Sequence, residues 1–140
     1  IRDRYGRSSS EMSDIVLKYK KDLTTNNIYH LLSLSSDIKK MAEKLGRENI
    51  NKLDYFYVRD LFFYAKNKEE MVKILGRENM NKLTGQAVFN LLLAGNIKKM
   101  AEWLGKENLI KLSKEQIDTL IKGSIKKEEI TEIFKKLGIL

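Results

Sequence analysis

Proline is absent from all 140 residues. No helix is therefore broken from inside by a missing N–H or a ring clash. Cysteine is also absent. That excludes disulfides, thiolate metal sites and a cysteine nucleophile. It suits a reducing compartment, such as the cytoplasm or nucleus of a host. Only one histidine is present, His30. With no second imidazole and no thiolate, a metal site would have to be built from carboxylates, and no suitable cluster stands out. No apolar run approaches the ~18 residues needed to span a bilayer, so no membrane partner is expected. Glycine-rich phosphate loops, nucleophile–base pairs and zinc-protease signatures are all missing. The chain reads as non-enzymatic, with no cofactor. It begins with Ile rather than Met, and no signal peptide is visible. A fragment or processed form is expected, with further repeats outside it.

What is present is a module written four times over residues 23–140. Leu23-Thr24, Leu53-Asp54, Leu83-Thr84 and Leu112-Ser113 recur at steps of 30, 30 and 29 residues. Each is followed by a Leu-Gly pair: Leu45-Gly46, Leu75-Gly76, Leu104-Gly105 and Leu137-Gly138. After the first three stands a near-copy: Arg47-Glu48-Asn49, Arg77-Glu78-Asn79 and Lys106-Glu107-Asn108. A period of this length marks stacked repeats, because one unit cannot bury its own apolar face. The expected fold is all-α, a solenoid of about four stacked two-helix repeats. Repeat arrays bind along extended surfaces. Residues 1–22 form a separate region: a basic arm with Arg2, Arg4 and Arg7, then a capping helix striped by Met12, Ile15, Val16 and Tyr19.

Within each module the first helix has one signature. Leu precedes an N-cap oxygen from Thr24, Asp54, Thr84 or Ser113. Ile28, Val58, Val88 and Ile117 come next, where a hydrophobic staple closes. Gln116 completes a capping box with Ser113. The buried stripe repeats at 0, +3 and +4: Ile28-Leu31-Leu32, Val58-Leu61-Phe62, Val88-Leu91-Leu92 and Ile117-Leu120-Ile121. Helices are expected near 24–35, 54–65, 84–94 and 113–122. The second helices are expected near 37–46, 68–76, 96–105 and 125–138. Ile38-Met41-Ala42-Leu45 recurs as Ile97-Met100-Ala101-Leu104, while in module two Lys68 takes the Ile place. Gly46, Gly76 and Gly105 are expected to end their helices in the left-handed α region. Residues 47–52 would then form a tight return turn.

The net charge is +8, from 27 Lys and Arg against 19 Asp and Glu. Such a surplus points to a polyanionic partner: nucleic acid, or an acidic membrane or protein surface. The candidate backbone contacts are Lys39 and Lys40, Lys66 and Lys68, Lys98 and Lys99, and Lys126 and Lys127. They open the second helices or lie just before them, where a ladder of ammonium groups beside helix N-termini suits phosphates. The alternative is a solvated helix face. Glu69 and Glu70 interrupt the ladder in module two. The connectors supply the candidate base-facing residues: Ser35 and Ser36, Asn67, Gly95 and Asn96, and Gly123 and Ser124. Arg47, Arg77 and Lys106 form a second basic row beside Glu48, Glu78 and Glu107, where local or inter-repeat ion pairing is expected. Trp103 sits beside the core stripe and reads as packing. Tyr55, Phe56, Tyr57, Phe62, Phe63 and Tyr64 crowd module two. Part of that cluster is core, and the rest would suit a protein-binding hot spot. A protein-interaction scaffold is thus the second reading.

The module resembles the repeats of TAL effectors and TAL-effector-like bacterial DNA-binding proteins. The resemblance rests on an opening such as Leu112-Ser113-Lys114-Glu115-Gln116-Ile117 with Leu120 in the ninth place. It implies two-residue base-reading loops near Leu34-Ser35, Tyr64-Ala65, Ala94-Gly95 and Gly123-Ser124. It also implies phosphate-facing lysines near Lys39, Lys68, Lys98 and Lys127, on double-stranded DNA. The family repeat is longer, carries Pro and has Gly-Gly after the loop, and this chain has none of these. The modules are also similar to mitochondrial transcription-termination-factor repeats in length and in the recurring Leu-Gly.

Overall fold

A computed structural model describes residues 14, 18–124 and 126–140. Among these there are ten α-helices and no strand. They are α1 (Thr25–Leu34), α2 (Ile38–Leu45), α3 (Arg47–Ile50), α4 (Tyr55–Phe63), α5 (Lys68–Met80), α6 (Gly85–Ala94), α7 (Ile97–Leu104), α8 (Lys106–Leu109), α9 (Lys114–Lys122) and α10 (Lys127–Lys136). The chain divides into two compact units, Ile1–Asn79 and Met80–Leu140. The proposed arm, and Met12, Ile15 and Val16 of the proposed capping helix, lie outside the described residues. The turn Lys20–Asp22 is a short 3-10 helix with no buried residue.

The repeated start signal works as its chemistry requires. The side-chain oxygens of Thr24, Asp54, Thr84 and Ser113 each accept the backbone N–H three residues on. Each thereby satisfies one N–H that has no partner inside the helix. Gln116 returns the bond to the Ser113 N–H at 2.9 Å, and Asn27 does the same to Thr24 at 3.1 Å. Leu23, Leu53, Leu83 and Leu112 are buried, as are Ile28, Val58, Val88 and Ile117. The staple positions therefore belong to the core.

In the first unit α1 packs on α2, α3 and α4. In the second unit α6 packs on α7, α8 and α9, and α7 on α10. Each unit thus sets the first helix of one module against the first helix of the next. Their cores are built from the 0, +3, +4 stripes and from Leu45 and Leu75, or Leu104, at the ends of the second helices, except that Ile121, the +4 place of the fourth stripe, is only half-buried.

Two expectations about the Leu-Gly segment need correction. Gly46, Gly76 and Gly105 have φ/ψ of 82/160°, 78/162° and 80/164°. That is a region open essentially to glycine alone, and it is not the left-handed α conformation. The cause lies in the next residues. The chain re-enters a helix at once, and the Gly46 carbonyl accepts the Ile50 N–H at 3.2 Å. Residues 47–52 therefore open with the one-turn helix α3 rather than a plain return turn, and α8 does the same after Gly105. In module two the equivalent turn is the last part of α5, beyond the kink at Gly76. The first three modules thus add one short helical turn to the expected helix pair, and the fourth does not. Gly138 stands apart. Its N–H bonds to the Lys135 carbonyl at 3.0 Å, and the Ile139 N–H to the Phe134 carbonyl at 2.9 Å. That pair of bonds is a Schellman ending, with φ 74° at the glycine.

The corner geometry makes a prediction. A Cβ on Gly46 would meet only Lys20 atoms, at 3.5 Å or more, so space is not limiting. Gly46→Ala should nevertheless lower unfolding free energy by about 1–3 kcal/mol through backbone strain alone. Urea denaturation followed by circular dichroism measures it.

Candidate nucleic-acid interface

The connector ends of the second helices were expected to gather the binding chemistry. Asp37, Asn67 and Asn96 turn out to be the N-caps of α2, α5 and α7. Their Oδ1 atoms accept the N–H groups of Lys40 at 3.1 Å, Glu70 at 3.0 Å and Lys99 at 3.2 Å. An Asp or Asn ahead of each apolar run is the sequence signal for these helix starts. The capping bond holds each Asn amide against the helix end, so base readout by Asn67 or Asn96 would have to use that fixed orientation. The serines also turn back on the chain. Ser35 Oγ donates to the Asp37 carbonyl at 3.0 Å and accepts its N–H at 3.3 Å. Ser124 Oγ accepts the Lys126 N–H at 3.0 Å. Ser36 and Gly95 are exposed. Gly123 is the C-cap of α9, its N–H bonded to the Thr119 carbonyl at 2.9 Å.

The lysines divide into two groups. Lys39 and Lys40 are exposed within the first two turns of α2, and Lys98 and Lys99 hold the same places on α7. Lys66, Lys126 and Lys127 are exposed as well. Glu129 lies 3.9 Å from both Lys98 and Lys126, which lowers the net charge locally. Lys68 behaves differently from expectation. Its ammonium donates to the carbonyls of Phe62 at 3.2 Å, Phe63 at 2.7 Å and Ala65 at 3.2 Å. All three protons are spent on carbonyls at and just beyond the end of α4, where a cation also suits the helix dipole. Partial burial pushes its pKa below the usual lysine value. Lys68 therefore serves the fold, and it stands in the Ile place because it ties α5 to the end of α4.

The Arg/Lys-Glu-Asn segments are structural in a way their charges did not reveal. Arg47 Nη1 donates to the Leu75 carbonyl at 2.7 Å, 28 residues away. The three asparagines are buried. Asn49 Nδ2 bonds the Leu45 carbonyl at 2.9 Å and the Lys20 carbonyl at 3.0 Å. Asn79 Nδ2 bonds the Leu75 carbonyl at 2.7 Å and Asn51 Oδ1 at 2.8 Å. Asn108 Nδ2 bonds the Leu104 carbonyl at 2.8 Å and the Met80 carbonyl at 3.1 Å. Each amide thus satisfies a helix-end carbonyl left open by the glycine corner and reaches back 28 or 29 residues in the chain.

A groove recurs beside the second helices. In the first unit it encloses about 650 Å³ and is lined by Lys39, Arg47 and Lys73 against Glu43, Glu69 and Glu70. In the second it encloses about 320 Å³, with Lys98, Lys106 and Lys136 against Glu102. Lys73 and Lys136 were not singled out from the sequence, because a single lysine on a solvated helix carries no signal until its neighbours are known.

The aromatic cluster of module two splits by helix face. Phe62 is fully buried, while Tyr55, Phe56, Phe63 and Tyr64 are exposed. Tyr57 stacks on Tyr29 at 4.7 Å. Arg59 lies 4.5 Å over the Phe56 ring. Burial, first, and then the neighbouring Asp60 raise the Tyr29 pKa. His30 meets Tyr29 edge-on at 5.4 Å. Trp103 is half-buried. Among the described residues no group of His, Asp or Glu could hold a metal ion. No helix described is long and apolar enough to cross a membrane.

Comparison of the chain with family models, with curated proteins and with solved structures gives no match.

Proposed function

We propose that the protein is a non-enzymatic nucleic-acid-binding module, with double-stranded DNA as its first candidate ligand. The observation that carries this reading is the exposed lysine pair repeated at the start of a second helix in each unit: Lys39 and Lys40, Lys98 and Lys99. Repetition of an exposed cation pair at one place in the repeat is what contact with an evenly charged polyanion calls for. The net charge of +8 supports the same partner. Under this reading the modules stack as a solenoid, supported within each unit by first-helix packing on first helix. Phosphate contacts supply most of the affinity. The connectors add little base discrimination, since Gly95 has no side chain and the oxygens of Asn67 and Asn96 already cap helices. The second reading, a protein-interaction scaffold, is favoured by one specific observation: the exposed Tyr55, Phe56, Phe63 and Tyr64 in module two.

The two readings separate on salt. With Lys39, Lys40, Lys98 and Lys99 all changed to Ala, the slope of log affinity against log salt for a DNA duplex should fall by about 0.9 for each lost contact. The circular dichroism spectrum should stay unchanged, because all four side chains are exposed. An unaltered slope would move the interface elsewhere.

A further inference from the structure

In the first unit a cavity of about 450 Å³ opens beside the connectors of modules one and two. That size is within the range of small-ligand pockets. Its floor includes the buried Leu32, Leu61 and Met71. Two tyrosines line it: Tyr29, half-buried, and Tyr64, which is 75% exposed. Two carboxylates, Asp60 and Glu70, line it as well, both half-buried. Asp60 sits 3.5 Å from the Arg59 guanidinium. Ser36 and the exposed Lys66 complete the connector side.

This combination selects among ligands. An apolar floor with aromatic rings takes a flat ring and gains from stacking. The half-buried carboxylates accept N–H bonds, so the ring must donate. A bare cation would meet the same carboxylates, but it would have to approach a chain of net charge +8 with Lys66 at the cavity and Lys39 and Lys40 exposed in the same unit. A nucleobase brings its own phosphates to those lysines. Among the bases, guanine presents two adjacent donors, the ring N1–H and the exocyclic amino group, which match the two oxygens of one carboxylate. A base in a duplex has that edge occupied by its partner.

We propose that the cavity lined by Tyr29, Tyr64, Asp60 and Glu70 binds one unpaired guanine of a nucleic-acid strand. Asp60 or Glu70 accepts its two donors, and Tyr64 stacks on it. The proposal rests on the nucleic-acid reading given above. It makes this unit a reader of unpaired nucleotides, with Lys66 at the flanking phosphate.

The test uses fluorescence anisotropy of the intact chain with a labelled oligothymidylate about twelve nucleotides long. One central position is thymine, hypoxanthine or guanine. Guanine should bind roughly ten-fold more tightly than thymine, since the paired donors contribute on this scale while stacking on Tyr64 is open to either base. Hypoxanthine, which lacks the amino group, should fall between them. Tyr64→Ala should weaken the guanine strand about ten-fold while leaving its salt slope intact. Asp60→Asn combined with Glu70→Gln should abolish the preference for guanine over thymine. Equal affinity for all three strands, with a steep salt slope, would overturn the guanine pocket and leave the nucleic-acid reading standing. Failure to bind any strand or duplex at low salt would overturn both.

Discussion

Phe62→Ala should lower the unfolding free energy by about 3–5 kcal/mol, while Phe63→Ala next to it should change it by less than about 0.5 kcal/mol. The two residues differ by one position and by everything that matters energetically. Phe62 lies at the +4 place of the α4 stripe and is 0% exposed, and Phe63 is 41% exposed. Truncating Phe62 removes the transfer free energy of a whole ring and leaves a cavity that the surrounding helices can only partly fill. Truncating Phe63 takes a ring from a place that already meets water. Urea denaturation of both variants measures the difference. Similar losses in the two would mean that α4 is not seated with its Val58-Leu61-Phe62 face inward.

Asn108→Ala should cost about 2–3 kcal/mol, a large loss for a small polar side chain. The amide donates from one nitrogen to the Leu104 and Met80 carbonyls, and its Oδ1 accepts the Lys111 ammonium at 2.9 Å. Asn108 is fully buried. Removing it deprives two carbonyls of a donor that water cannot easily replace, and it takes a partner from Lys111. That ammonium also donates to the Asn81 carbonyl at 2.7 Å, and its pKa is already lowered by burial. Asn108→Asp, nearly identical in shape, should be at least as damaging. One oxygen of its carboxylate would keep the Lys111 ammonium, but the other would replace the Nδ2 donor and face two carbonyl oxygens. If Asn108→Asp kept full stability, the buried amide would be incidental to the fold.

Much of this architecture was legible, for local reasons. A threonine, aspartate or serine before an apolar stripe acts through its own nearest N–H groups. Thr24, Asp54, Thr84 and Ser113 therefore cap where expected. The stripes were legible because helical periodicity decides burial directly. The glycine corners were misread because a Leu-Gly ending is shared by two geometries. Which one forms depends on whether the chain re-enters a helix at the next residue, as at Arg47 and Lys106, or stops, as at Gly138. A four-residue helix is too short to leave a periodicity. The partners of Arg47, Asn79 and Lys68 were not legible either. The Leu75 carbonyl and Asn51 lie 28 residues from Arg47 and Asn79, at a distance set by packing, while Lys68 finds its carbonyls three to six residues back, across a connector whose path sequence spacing does not fix. For the candidate interface, the sequence located the lysine pairs but could not tell Lys68, spent on three carbonyls, from Lys39, which is exposed.

The central claim is that exposed lysines bind a polyanionic strand through its phosphates. The measurement that tests it most directly is the affinity of the intact chain for a labelled DNA duplex as salt is raised from about 50 to 200 mM. Saturable binding is expected at the low end, weakening linearly on log–log axes, by at least about a hundred-fold across the range if four phosphates or more are contacted. No binding at low salt, or an affinity indifferent to salt, would contradict it.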